Sequence, residues 1–447
     1  MSSGLAYLFP AFPVFHQTFV LWEILGLHRN GVYPKIYSLR PGTEKQQPEA
    51  QQIRSEVTYL PSLGSRRVWA ASWRLLRSSP SRYLGAYWVV IQAWRSGSVA
   101  PAIPGWERRP LKIHERLRGW FNRQPFLYLL KSLVLVPQAI ELAERLAADG
   151  IRHLHVHWAT YPATIALVVR YVSGLPFSIS AHAYDIYMVS RMLPAKLDAA
   201  EFVVTCAKTN ADYLSQLAGA RLGQKVLVSY HGVDVERFSP KAGNAQRSDR
   251  VLVVSCGQLE RYKGMHLLVE ACAQLRQEGL PIECHIVGEG SRRAQLEGQI
   301  QRLGVAEHVR LLGAQPHAEV ASLLRQGDVF ALASELGGKS GRRDVIANVV
   351  VEAMAAALPV VASRIPGAEE LVEDAVTGFL VPPNRVEELV VAIRRLAQDP
   401  SERQRIGQAA RRRVLADFDA SKNVRFLAGL LGATAGERGA QQRATAS

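Results

Sequence analysis

The chain has 447 residues, 48% of them hydrophobic, and 54 Lys and Arg against 39 Asp and Glu give a net charge of +15. This length exceeds one ordinary core and predicts two domains, and no run reaches the ~18–20 apolar residues of a spanning helix. Lys131 interrupts the best candidate, Phe126 to Val136, and the start MSSGLAYLFPAFPVF lacks the basic region and cleavage pattern of a secretory signal. Cys206, Cys256, Cys272 and Cys284 form no CxxC pair, so reduced, buried thiols of a cytosolic protein are expected rather than a disulfide framework.

In chain order, Leu5 to Phe9 reads as a first strand ended by Pro10 and Pro13. Phe19 to Leu27 has helical apolar spacing up to Gly31, and Lys35 to Leu39 is a second strand. Residues 41–56 are polar and turn-rich. From Gly64 to Gln124 the chain carries twelve Lys and Arg, only Glu107 and Glu115 as acids, and six of its eight tryptophans. Arg interleaved with Trp suits a surface lying on anionic lipid headgroups. A solvated helical subdomain with Trp in its core and an RNA grip are the other readings.

A helix from Val136 to Ala148 precedes the strand Ile151 to Trp158, on which His153, His155 and His157 share one face. Same-face residues of one strand rarely converge on one ion, and no nearby Cys or carboxylate completes a shell, so no metal site is expected. Phe177 to Ala181 is the next strand and delivers His182 at its carboxyl end, where ligands bind in α/β sheets. Asp185 reads as a loop-orienting carboxylate. Strands at Phe202–Cys206 and Val226–Ser229 lead to His231-Gly232-Val233-Asp234 and the loose linker Lys241 to Arg250.

The second half alternates strands, at about 251–256, 283–287, 308–312, 328–332, 359–362 and 378–381, with helical patterns. That alternation specifies a doubly wound parallel sheet. Three loops after strands are glycine-bearing: Gly257-Gln258-Leu259-Glu260-Arg261-Tyr262-Lys263-Gly264, Gly288-Glu289-Gly290 with Arg293, and Leu311-Leu312-Gly313. A fourth, rich in Gly, Ser, Lys and Arg, enters a helix at about Asn348. Strand, Gly-rich loop, helix and strand form a unit that seats anions on the first helical amides. Asp344 and Glu352 bracket this seat, as carboxylates able to hold polyol hydroxyls. Asp417-Phe418-Asp419 is formally DxD but reads as a helix-end turn.

The stretch DVIANVVVEAMAAALPVVAS, followed by PGAEELVEDAVTGFLVPP, resembles the nucleotide-sugar site of family-4 retaining glycosyltransferases, and of those that build bacterial surface polysaccharides in particular. Their acidic residue and, after seven intervening positions, their Glu fall on Asp344 and Glu352, and Ile346 and Asn348 also match. Val345 and Ala347 replace the usual Gly and Pro. AYLFPAFPVFHQTFVLWEILGLHRNG, Ser180-Ala181-His182 with Asp185-Ile186, and the Gly-Val-Asp…Phe-x-Pro turn through Gly232, Phe238 and Pro240 are similar to the same family. The resemblance implies an α/β GT-B fold, with two Rossmann-like doubly wound domains facing across a cleft.

It also implies roles: His182 on the donor sugar, Asp344 on its hydroxyls, Glu352 on the ribose, and Lys263 with helix amides on the diphosphate. Gly257, Gln258, Arg261, Gly288, Gly290, Arg293, Leu312, Ile346, Asn348 and Val349 complete the nucleotide seat. The family's Arg is Gln258 here, a lost fixed charge that Arg261 is placed to replace from across the turn. The implied reaction transfers a sugar, UDP-linked by expectation, to a glycan or polyprenyl-linked acceptor with retention, without a metal or other cofactor and without nucleic acid. The expected location is the cytoplasmic side, on the inner face of the membrane. A non-catalytic nucleotide-binding scaffold and a sugar-nucleotide epimerase of the same fold are the alternatives. The expected divisions are an acceptor-side domain 1–238 with a basic insertion at about 60–125, and a donor-binding domain 239–415. A helix at 416–431 would return to the first domain, followed by a disordered tail 432–447.

Overall fold

The computed structural model describes residues 4–15, 17–43, 47–95, 125–187, 192–219, 223–240, 250–335 and 346–444. The chain divides into two compact units, parting after Ser229 and again after Asn423, with Val424 onward belonging to the first unit.

The first unit is built on strands β1 (Leu5–Phe9), β2 (Lys35–Ser38), β3 (Val57–Tyr59), β4 (His153–His157), β5 (Phe177–Ala181), β6 (Val203–Thr205) and β7 (Val226–Val228). All pair in parallel, in the order β3-β2-β1-β4-β5-β6-β7. Side chains alternate between its faces. Ala6 and Leu8 enter one apolar layer with Leu154, Val156 and Ile165. Tyr7 and Phe9 enter the other with Val20, Ile24 and Leu27. A parallel sheet is covered on both faces, so β4 and β5 are buried at every position.

In the basic insertion, Ser65 caps the helix Arg66–Ser78 by accepting from the Arg67 N–H (3.3 Å), and the helix Pro80–Arg95 follows. Val68 and Ala71, Ala86 and Val90 face inward, while Trp69, Trp73 and Trp88 are 53%, 58% and 51% exposed. Those three tryptophans are therefore not core residues. The helix Pro125–Val134 also exposes Phe126, Leu130 and Val134 at a spacing of one turn. Trp106, Trp120 and the basic residues from Arg108 to Arg123 lie outside the described residues. No single helix among the described residues is long and apolar enough to cross a membrane.

The second unit contains β8 (Val251–Cys256), β9 (Ile282–Val287), β10 (Val309–Leu311), β11 (Val329–Leu332), β12 (Val360–Ser363) and β13 (Gly378–Val381), again all parallel. Their order, β10-β9-β8-β11-β12-β13, reverses direction between β8 and β11. Both units thus have the doubly wound order whose switch point opens a crevice at the strands' carboxyl ends.

Three details differ from the sequence reading. The units part at residue 229 rather than 238, because Val233, Val235 and Phe238 are buried in the second core. Strand β3 lies where only turns and the start of the insertion were expected. The last helix runs Ala420–Ala444, through the segment expected to be disordered. Its alanine, glutamine and arginine content has the propensity to continue a helix. Asp417 closes the helix Pro400–Asp417, and Asp419 accepts from the Ser421 N–H (2.8 Å), so the formal DxD is a helix–helix turn.

Candidate functional site

The carboxyl ends of β8, β9 and β10 are stitched into one floor by backbone hydrogen bonds. Gly257 N–H donates to Val287 O (3.0 Å), Leu259 N–H to Glu289 O (2.9 Å), Arg292 N–H to Leu259 O (2.9 Å), and Gly288 N–H to Gly313 O (2.8 Å). Such close approach requires glycine. A Cβ on Gly288, at φ +148°, would lie 1.8 Å from Gly257 O. Gly264, at φ +63°, caps the helix Met265–Gln277, and a Cβ there would lie 1.7 Å from Ala333 O, just past β11. The loops after β8 and β11 therefore meet backbone to backbone at the switch point, where Glu335 N–H also donates to Tyr262 O (2.8 Å).

Lys263 is 9% exposed, with its ammonium 5.4 Å from the centre of the Tyr262 ring. Tyr262 donates to Gln258 Oε1 (3.2 Å), so the glutamine in the family's arginine position is held by the ring next to the lysine. Glu352, 8% exposed, sits one turn into the helix Asn348–Ala355 and accepts from His317 Nε2 (2.9 Å). Lys263 lies against Gly257, just past β8, and the charges of Lys263 and Glu352 both act on Cys256. Burial pushes the Cys256 thiol up to about 12; the Glu352 charge adds to this and Lys263 opposes it.

Arg261, across the turn from Gln258, is paired with a carboxylate. Its Nε donates to Glu335 (3.2 Å), which His266 Nε2 also approaches at 3.2 Å. Burial alone would raise the Glu335 carboxyl, but His266 and Arg261 outweigh it and hold the value below the usual range. Arg293 starts the helix Arg293–Arg302, bridging Glu289 (2.5 Å) and Glu297 (2.9 Å). It borders Gly313, next to Leu312, whose carbonyl accepts from Gln315 (2.6 Å). Gly290 packs on the Leu259 carbonyl. Ile346 precedes the helix that Asn348 and Val349 open, and that helix has no side-chain cap. Asp344 lies outside the described residues, as does Val345. His317, Glu335 and His266 are site residues that the sequence reading missed; each is joined to its partner across 35 to 74 positions, and none falls in a spaced motif.

In the first unit, the β4 histidines and β5 form a buried polar ladder. His153 Nε2 and His155 Nδ1 each lie 2.7 Å from Ser178 Oγ, and His155 Nε2 lies 2.9 Å from Ser180 Oγ. His157 Nε2 lies 3.0 Å from Glu23 Oε1 and its Nδ1 lies 3.3 Å from His182 Nε2. Glu23, His155 and His157 offer ligand atoms within 4.8 Å of one another. All four ring nitrogens of the two histidines are already in hydrogen bonds to Ser178, Ser180, Glu23 or His182, an arrangement of a proton-sharing network.

The His182 ring packs against Phe19 (5.2 Å) and Trp158 (5.1 Å), two rings that also touch each other (6.5 Å), and Trp158 is held at φ +72°. Asp185 accepts from the His182 (2.8 Å) and Ala159 (2.5 Å) amides and fixes that turn. Burial lifts Asp185 to about 7 against those amides. Burial likewise brings Lys196 down to about 7, its ammonium donating to Tyr128 Oη (2.9 Å) and to the Ala159 and Thr160 carbonyls (2.8 Å each).

Residues 237–413 match the family described as Glycosyl transferases group 1. WcaL of Escherichia coli, named for colanic acid biosynthesis, is 35% identical over 209 residues, 46% of this chain and 51% of its own. The amylovoran biosynthesis glycosyltransferase AmsK of Erwinia amylovora is 33% identical over 208 residues, again 46% and 51%. The chain thus spans about half the length of these curated relatives. Anabaena HepE in complex with UDP superposes with a TM-score of 0.65 at 18% identity, covering 97% of this chain and 100% of HepE. The chain has the GT-B fold, and residues 237–413 are similar to the glycosyl transferases group 1 family.

Proposed function

We propose that the protein is a glycosyltransferase of cell-surface polysaccharide biosynthesis, moving a sugar from a UDP-sugar to a glycan or polyprenyl-linked acceptor with retention. One observation carries this reading. At the β8–β11 switch point of a domain similar to group 1, Lys263 packs on Gly257 of the glycine-stitched floor and the buried Glu352 is held by His317. The relatives named for colanic acid and amylovoran synthesis and the UDP bound by HepE support it.

The diphosphate would rest on the first amides of the helix Asn348–Ala355 and on Lys263, fixed positive ends that favour charge growing on a leaving group. Glu352, oriented by His317, would accept from ribose hydroxyls, Asp344 from the sugar, and His182 would hold a further sugar hydroxyl. The bond from the anomeric carbon to the diphosphate breaks, and the acceptor oxygen bonds that carbon on the same face. The acceptor proton passes to the departing phosphate. Lys263 and the helix amides supply the positive charge a metal would bring, so no metal is required in this scheme.

The exposed Trp69, Trp73 and Trp88, with Arg66, Arg67, Arg74, Arg77 and Arg82 on the same two helices, would hold the enzyme against the anionic inner face of the membrane. Gln258 in the arginine position and the commitment of Arg261 to Glu335 favour a second reading, a nucleotide-binding scaffold without turnover. Titration calorimetry with UDP, GDP and ADP, followed by a screen for UDP release with polyprenyl-linked glycans, separates them. Binding with acceptor-dependent UDP release supports the transferase, binding without turnover supports the scaffold, and no binding to folded protein rejects both.

A further inference from the structure

The Glu23–His157–His182 chain has a direction. Tyr7 Oη donates to Glu23 Oε1 (3.0 Å), and burial with the Glu23 charge holds Tyr7 well above its ordinary value, so Tyr7 keeps its proton and serves as the donor. The same carboxylate oxygen faces His157 Nε2, so that nitrogen carries a proton. With that as the ring's one proton, His157 Nδ1 accepts and the nitrogen facing it, His182 Nε2, donates. His182 protonated on Nε2 carries its acceptor lone pair on Nδ1.

We propose that Glu23 is a positioning residue which, through His157, locks His182 in the Nε2–H tautomer, making its Nδ1 a hydrogen-bond acceptor. The lock is built from three elements: the helix Thr18–Arg29 supplies Glu23, β4 supplies His157, and the end of β5 supplies His182. The rings are kept in register by near-parallel packing (5.5 Å, 21°) between His157 and His182, and by the adjoining Phe19 and Trp158 rings packed on His182. An acceptor nitrogen selects a ligand that donates, such as a sugar hydroxyl. That last consequence rests on the proposed function; the tautomer does not.

The test is long-range nitrogen–proton NMR of the full chain labelled with ¹⁵N-histidine. The wild-type protein is expected to show Nε2–H tautomers for both His157 and His182. A Nδ1–H tautomer at His182, or a doubly protonated His157, would overturn the assignment without any variant. In Glu23→Ala the His182 signal should lose its single tautomer, while His155, held by Ser178 and Ser180, keeps its own; Glu23→Gln, which retains an acceptor oxygen, should restore it. An unchanged His182 tautomer in folded Glu23→Ala would also overturn it. As a functional readout, UDP-glucose turnover per KM should fall roughly three- to tenfold in Glu23→Ala, the worth of one neutral hydrogen bond. The UDP dissociation constant should not move. Failure of the wild-type protein to bind UDP would reject the donor-site reading and leave the tautomer to be decided by NMR.

Discussion

Replacing Glu352 by alanine is expected to weaken UDP binding about ten- to a hundredfold. The carboxylate is 8% exposed and bonded to His317 at 2.9 Å, so it meets a ligand hydroxyl already oriented and largely stripped of water. Hydrogen bonds to a charged group contribute about 1.5–3 kcal/mol, and each 1.4 kcal/mol is about tenfold in affinity. The same substitution removes the His317 bond from the folded protein. For a unit of this size that loss lowers the melting temperature by roughly 2–8 °C, with helix propensity in alanine's favour. Calorimetric titration of wild type and variant, each checked by thermal melting, reads both effects. A folded variant that binds UDP as tightly as wild type would refute the placement of Glu352 in the nucleotide seat.

Other perturbations address different parts of the molecule. Lys263→Ala should cost turnover far more than UDP affinity if the ammonium acts on the leaving group; equal losses, or none, in steady-state kinetics would contradict that role. Gly264→Ala and Gly288→Ala should each lower stability by more than about 2 kcal/mol, since both meet a backbone carbonyl at positive φ, and denaturant unfolding measures this. Glu335 is held below its ordinary 4.5 by His266 and Arg261, so its contribution is present above about pH 4.5 and is lost as pH falls through the lower folded value. Glu335→Gln should flatten that acid limb in pH-dependent melts; an unaltered limb would contradict the pairing. Combined Trp69→Ala, Trp73→Ala and Trp88→Ala should reduce co-sedimentation with anionic vesicles roughly tenfold or more, and unchanged sedimentation would remove the membrane role.

Much of the fold was legible because buried parallel strands read as short apolar runs or alternations between turn signals. Leu5–Phe9, Phe177–Ala181 and Val251–Cys256 lie where the hydrophobic pattern puts them, as does the helix Val136–Ala148. Strand β3 escaped notice because three residues at a sheet edge show neither a run nor a period. Loops that touch the same floor were visible through their glycines, since close backbone approach leaves a mark on residue type. Partnerships such as His317 with Glu352, or His266 with Glu335, leave none, because a histidine reads the same whether it is a surface residue or the orienting group of a site. The three β4 histidines were visible as a face, but their meaning depends on Ser178 and Ser180 across the register of β4 and β5.

The helix Ala420–Ala444 has a bearing on biosynthesis. Val424, Leu427 and Leu431 are buried in the same layer as Leu5, Tyr7 and Ile24, so the first unit draws part of its core from the far end of the chain. At roughly 5–20 residues per second, the ribosome needs on the order of 20–90 s to deliver that helix. Until then one face of a seven-stranded sheet lacks part of its cover, while the second unit ends at Asn423 and is made before Val424 is reached. The order of synthesis is thus the reverse of the order of completion. Chains that stall or are cut before Val424 would leave a nascent sheet face open for chaperones to hold and proteases to find.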